Sequence, residues 1–214
     1  MALPTADDIR SLHAKYAPTQ EAFDLVHTHC EIVWGIARNL IDRAALAVDA
    51  DLVRTGCLLH DIGVYGLYDA RGRLDHGTYV RHGVLGHSLL RREGFPERVC
   101  RFCSCHTGVG LTEQDVVAQG LPLPPRDYLA ETVEERLVMY ADKFHTKTTP
   151  PAFVSASSYA RHIARFGTEK AEAFHALRAE FGEPDLTACG APDLTAPVEP
   201  GAVRRGFRAS PPVP

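Results

Sequence analysis

Leu58-Leu59-His60-Asp61-Ile62-Gly63 is the stretch on which the reading of this chain turns. An apolar run delivers an adjacent histidine and aspartate, and a glycine follows two residues later. The residues before it read as a short helix. Asp49 is its N-cap, and Leu52, Val53, Gly56, Cys57 and Leu59 turn inward. Gly63 is expected to supply the stop. The His-Asp pair therefore stands at the C-terminal end of a mostly buried helix, where both groups are costly unless something satisfies them. A divalent metal satisfies both, because imidazole and carboxylate are good ligands for first-row ions. The competing arrangement is a histidine bonded to helix carbonyls beside an exposed aspartate.

The chain around that stretch is 214 residues long, enough for one domain or one domain and a tail. Hydrophobic residues make up 45% of it, so a sizeable core can form. A formal net charge of -4 gives no reason to expect a nucleic-acid or anionic-membrane partner. No apolar run approaches the length of a membrane span, and residues 1–10 hold Asp7 and Asp8 and lack a signal-type apolar region. Six cysteines in this setting suggest reduced thiols and a cytoplasmic location. The unusual number is 11 histidines.

Working outward, the chain reads as helices. Thr5 caps a helix to Tyr16, with Asp7 and Asp8 in its first turn. After Pro18, Thr19 starts a long helix to about Arg43 that carries His27 and His29. These two lie about 200° apart on a helix. Ile32, Val33, Ile36 and Leu40 share the face of His29, which is read as the core side, and His27 is expected to lean towards solvent. Residues 62–78, rich in glycine, read as a long loop over the site. Residues 79–93 form a helix in which His82 has Leu85, Gly86 and Leu89 on its own face and is the better inward candidate than His87. Pro96 opens a short helix that closes at His106. Cys100, Cys103 and Cys105 crowd that helix. No second Cys-x-x-Cys exists, so they read as small packing residues rather than half of a thiolate metal site. Prolines make residues 121–130 irregular. Thr132 and Glu135 form a capping box for a helix holding Asp142, which points inward, with Lys143 directly after it. Residues 155–166 and 168–181 complete the helical part. From residue 184 to 214 the composition shifts to Pro, Ala, Gly and Val, with seven of the 15 prolines. This is expected to be a tail, extended or disordered, following a single helical domain over 1–183. No segment alternates as a strand does, so the class is all-α.

Three helices thus offer His29, then His60 and Asp61, then Asp142. In this order the sequence resembles the HD-domain superfamily of metal-dependent phosphohydrolases. The matching residues are His29 in His-Cys-Glu-Ile-Val-Trp-Gly-Ile-Ala, the pair in Leu-Leu-His-Asp-Ile-Gly, and Asp142 in Tyr-Ala-Asp-Lys. His82, in Arg-His-Gly-Val-Leu-Gly, and His106 match the two extra histidines of members that hold two metals. The resemblance covers about residues 19–146 and implies an HD-like helical bundle. More loosely, the chain is similar to bacterial HD-type hydrolases of diadenosine tetraphosphate.

The resemblance implies one or two divalent transition metal ions (Fe, Mn, Zn, Ni or Co), with His29, His60, Asp61 and Asp142 on the first. The second would be held by His82 and His106 with Asp61 bridging; His87 and His76 are the alternatives for its ligands. An ion of this kind lowers the pKa of a water it holds from about 15.7 towards about 7. The implied activity is hydrolysis of a phosphate ester or phosphoanhydride of a small molecule, a nucleotide above all, and the implied catalytic residues are Asp61 and Lys143. Lys143, Arg81 and His76 are candidates to contact phosphate, since phosphate recognition needs a cation nearby. Two other classes share the fold and the ligands: a di-iron oxygenase and a nucleotide-binding sensor without turnover. Neither a nucleic acid nor a membrane is expected as a partner, and a homodimer is compatible with the reading.

Overall fold

Helix starts in this chain are set by side chains that accept from the first free backbone N–H groups, and four expected ones are in place. In the structure, a computed structural model describing residues 3–147 and 151–190, Thr5 and Asp8 close a reciprocal capping box at the start of α1 (Ala6–Tyr16). Thr19 caps α2 (Gln20–Ala44), and Asp49 caps α3 (Ala50–Leu59). Next come α4 (His82–Arg92), α5 (Glu97–Cys105) and α6 (Glu113–Ala118). A second capping box, Thr132 with Glu135, opens α7 (Val133–Ala141). The last helices are α8 (Ala156–Ile163) and α9 (Thr168–Phe181). The class is all-α, as expected.

One small ribbon departs from pure helix. β1 (His145–Thr146) pairs antiparallel with β2 (Ala152–Phe153), His145 opposite Phe153. Helix α6, with its own Thr112–Asp115 capping box, was not foreseen either.

Two apolar cores lie side by side. One gathers Val33, Ile36, Leu137, Tyr140, Phe144, Phe174 and Phe181; the other gathers Ile9, Val26, Ile62, Leu90, Val99 and Cys103. Helices α2, α3 and α5 each contribute to both, so the residues midway along α2 and at the end of α3 stand where the cores meet. Burial on this scale is what holds the bundle, at roughly 25 cal/mol per Å² of apolar surface removed from water.

The segment expected as a loop over the site is partly core. Residues Ile62–Leu67 continue from α3 as a 3-10 helix with Ile62, Val64, Tyr65 and Leu67 buried; only the remainder, closed by Asp69 and Arg73, is exposed loop. Gly63 is therefore not a helix stop. A Cβ there would stand 2.0 Å from the His82 carbonyl oxygen and 2.2 Å from the Gly86 nitrogen. Its role is to let the backbone after Asp61 lie directly against α4. Gly83 extends the seam to α5, where a Cβ would meet the Cys103 carbonyl at 2.7 Å.

The expected tail begins inside the domain. The Asp185 N–H donates to Asn39 Oδ1 at 2.8 Å and Leu186 is buried in the first core. The rest of that tail, 191–214, lies outside the described residues.

Candidate metal centre

The two cores bring six side chains from five helices to one point. His29 comes from the middle of α2. His60 and Asp61 come from the end of α3, His82 from the first turn of α4, His106 from the end of α5, and Asp142 from the end of α7. His60 and Asp61 have no exposed surface at all. Donor atoms of His29, His60, Asp61 and Asp142 lie within 4.8 Å of one another, and so do those of Asp61, His82 and His106. Asp61 belongs to both groups and gives each a different oxygen. Oδ2 stands 3.3 Å from His29 Nε2 and 3.4 Å from His60 Nε2, while Oδ1 stands 3.5 Å from both His82 Nε2 and His106 Nε2. Asp142 Oδ1 lies 3.0 Å from His29 Nε2 and 3.4 Å from His60 Nε2. Ligands about 2.1 Å from a common ion are themselves about 3.0–3.4 Å apart in octahedral or tetrahedral spheres, so these spacings suit a coordination shell.

The ring orientations explain why the Nε2 atoms converge. His60 Nδ1 donates to the Cys57 carbonyl at 2.7 Å, His82 Nδ1 to the Tyr79 carbonyl at 2.7 Å, and His106 Nδ1 to the Phe102 carbonyl at 2.9 Å. A carbonyl can only accept, so Nδ1 of each ring carries a proton and Nε2 is the atom turned inward. His29 cannot use this device, because the carbonyls around it in α2 are spent on the helix. Its Nδ1 instead meets Nδ1 of His145, on β1, at 2.8 Å.

In the second group this chemistry leaves a gap in the hydrogen bonding. His82 Nε2 and His106 Nε2 face each other at 2.9 Å, and the Asp61 Oδ1 between them has no hydrogen-bond partner. Burial pushes the pKa of His82 down to about 3 and that of His106 down as well, so both rings are neutral. Three acceptors and no donor meet in a dry place, which a cation resolves and a hydrogen bond cannot. The donor set therefore fits a metal.

In the first group charge is balanced differently. Burial alone would raise the pKa of Asp61 and Asp142. Lys147 and His60 hold Asp61 well below the usual carboxylate range, and Lys143 with His29 does the same for Asp142. Burial alone would lower His60, but the Asp61 charge outweighs it and holds its pKa well above the ordinary value.

The remaining candidates are placed as follows. Lys143 is buried, and its Nζ donates to Asp142 Oδ2 at 2.7 Å and to the His106 carbonyl at 2.8 Å, which ties the ends of α5 and α7 together. Arg81 and His76 are exposed, before α4 and in the loop preceding it. His87 is half-buried against Ser104 Oγ at 3.0 Å, away from both donor groups. The helix α5 cysteines are buried free thiols, and burial drives their pKa values up.

The expectation for His27 is corrected. It is buried, stacked on Phe23 at 4.9 Å and met edge-on by His13 at 5.2 Å, because α1 covers the second side of α2. Three nearby groups went unread in the sequence: His13, His145 and Lys147. Lys147, just after β1, contacts Asp61 Oδ2 through its ammonium.

A helical bundle with an aspartate shared between two sets of imidazole and carboxylate donors defines the class. The HD domain family model matches residues 26–147, more than half of the chain, and the chain belongs to that family. It is 41% identical over 124 residues to an uncharacterised protein of Methanocaldococcus jannaschii, covering 56% of this chain and 66% of that one. It is 35% identical over 124 residues to the tRNA (cytidine(56)-2'-O)-methyltransferase of Picrophilus torridus, covering 58% of this chain and 32% of that enzyme. The chain thus spans just under two thirds of the first relative and about a third of the second. Among solved structures it is similar to the HD domain of the L. monocytogenes phosphodiesterase PgpH, with a TM-score of 0.48, 14% identity, and coverage of 79% of this chain and 94% of that one. Among the described residues no helix is long and apolar enough to cross a membrane.

Proposed function

We propose that this HD-family chain is a metal-dependent phosphohydrolase acting on a phosphate ester or phosphoanhydride of a small molecule, with nucleotides as the first class to test. The observation that carries the reading is Asp61, buried, with one oxygen turned to each donor group and one of them unpartnered. His29, His60, Asp61 and Asp142 would hold one ion, and His82, His106 and the second oxygen of Asp61 would hold another.

Bound divalent ions would supply charge against a phosphoryl oxygen and a water acidic enough to attack near neutral pH. The residues of the chain do the rest. Carbonyl anchors on three imidazoles hold Nδ1–H and aim Nε2 inward before any ion arrives. Lys143 holds Asp142 ionised and in place while its own cation is spent on fixed acceptors. This supports a positioning role for Lys143 in place of a direct contact with substrate. Arg81 and His76 remain available to a phosphate from the exposed side.

The test is elemental analysis of protein purified without added metal, then a substrate panel. The panel holds nucleotides, cyclic nucleotides, dinucleoside polyphosphates and short RNA, the last because one relative bears a tRNA-modifying name. Metal-dependent release of phosphate or nucleotide monophosphate supports the reading. Metal-loaded protein inert to the panel yet consuming oxygen with a polyol or organophosphonate overturns it in favour of an oxygenase. Inertness in both assays, with nucleotide-dependent stabilisation, overturns it in favour of a sensor.

A further inference from the structure

The two lysines near the centre are used in opposite ways. Lys143 Nζ has two fixed acceptors and its side chain is 5% exposed. The Lys147 side chain is 16% exposed, more than that of Lys143, and its ammonium sits over the Tyr79 ring at 6.0 Å from the centroid. Its partner is Asp61 Oδ2. That is the same oxygen that faces His29 Nε2 and His60 Nε2. One carboxylate oxygen cannot serve an ammonium and a dication at once without bringing two like charges into contact in a dry setting.

We propose that Lys147 is a metal-displaced cation that becomes a phosphate-binding residue. Without metal, its ammonium neutralises Asp61. An ion held by His29, His60, Asp61 and Asp142 takes over that carboxylate oxygen and repels the ammonium. The long stem of the lysine then carries the charge out towards solvent, where the phosphoryl oxygens of a substrate are its natural acceptors. Loading the metal thus prepares the anion site. No other lysine or arginine among the described residues pairs with Asp61. The inference rests on the metal-centre reading and adds to it a residue that the sequence did not point to.

The experiment is calorimetric titration of full-length, metal-stripped protein with Mn²⁺, followed by titration of the Mn²⁺-loaded protein with inorganic phosphate. Parent, K147M, K147Q and K147R are compared, each checked for its fold by circular dichroism; either folded neutral variant suffices. Removing the competing cation should tighten Mn²⁺ binding, and removing the anion's partner should weaken phosphate binding, each on the order of tenfold. K147R should stay near the parent in both. A neutral variant that binds Mn²⁺ no more tightly than the parent overturns the proposal, as does one whose phosphate binding is unchanged. A parent that binds no metal overturns both this and the metal-centre reading. A parent that binds metal beside unresponsive Lys147 variants overturns this inference alone.

Discussion

Two groups of buried histidines lie within one bundle and meet opposite fates. His13 uses both ring nitrogens on protein atoms: Nδ1 lies 2.8 Å from the Tyr65 hydroxyl and Nε2 2.7 Å from the Leu58 carbonyl. Beside it, His27 stacks on Phe23. His82 and His106 are buried as deeply, yet each spends only Nδ1 on a carbonyl and turns a bare Nε2 towards an unpartnered carboxylate oxygen. Burial is common to both groups, so burial alone does not mark a ligand. What separates them is the number of polar atoms left over once the protein has been counted.

The sharpest way to break this contrast is at the shared aspartate. Asp61→Ala should lose bound metal and reduce turnover on the order of 10³-fold or more, while the far-ultraviolet circular dichroism stays that of the parent. Full metal occupancy in that variant would sink the assignment.

The satisfied group predicts the reverse pattern. His13→Ala opens a cavity and strands the Leu58 carbonyl, so it should cost about 3 kcal/mol in denaturant unfolding with the metal count unchanged. Burial also pushes the pKa of His13 down to about 4 from 6.5. The unfolded chain therefore binds a proton that the folded one refuses. This contribution to stability is complete above about pH 6.5 and drains away as pH falls towards about 4, worth about 3 kcal/mol in total. Unfolding free energies from pH 7 to 4 should show a loss that is smaller by about 3 kcal/mol in His13→Leu; an equal pH slope in that variant would contradict it.

A smaller effect is expected at His145. Replacing it with leucine takes away the partner of His29 Nδ1 and should weaken metal binding 10- to 100-fold, read by equilibrium dialysis. Glutamine, which keeps an acceptor, should recover part of it. Equal affinities for parent and His145→Leu would show that His29 needs no such anchor.

The least change is predicted where the protein leaves atoms over. His82→Leu removes one of three facing acceptors, so metal-free stability should stay within about 1 kcal/mol of the parent while the metal count falls by one. A loss as large as that of His13→Ala would mean that His82 is an ordinary core histidine.

Much of this arrangement was legible because helices announce themselves locally. Thr5, Thr19, Asp49 and Thr132 mark their starts, and the apolar residues sharing a face with His29 turn it inward. The reading of His27 failed because it treated α2 as covered on one side, whereas α1 covers the other. Gly63 looked like a stop because sequence shows a missing side chain but not the backbone of α4 that needs the space. His145 and Lys147 had no signal at all. Two-residue strands carry no periodicity, and their partners, His29 and Asp61, are distant in the chain.

That distance has a consequence for how the protein comes into being. His29 and its anchor His145 are 116 residues apart. At a synthesis rate of about 5–20 residues per second, on the order of 10 s separate their emergence from the ribosome. During that interval the nascent chain carries His29, and later His60 and Asp61, without Asp142 or the anchor. An ion caught then would be held by an incomplete set. A centre of the proposed kind would be finished by Asp142 and His145, so the choice of metal would fall to the folded chain rather than to the growing one.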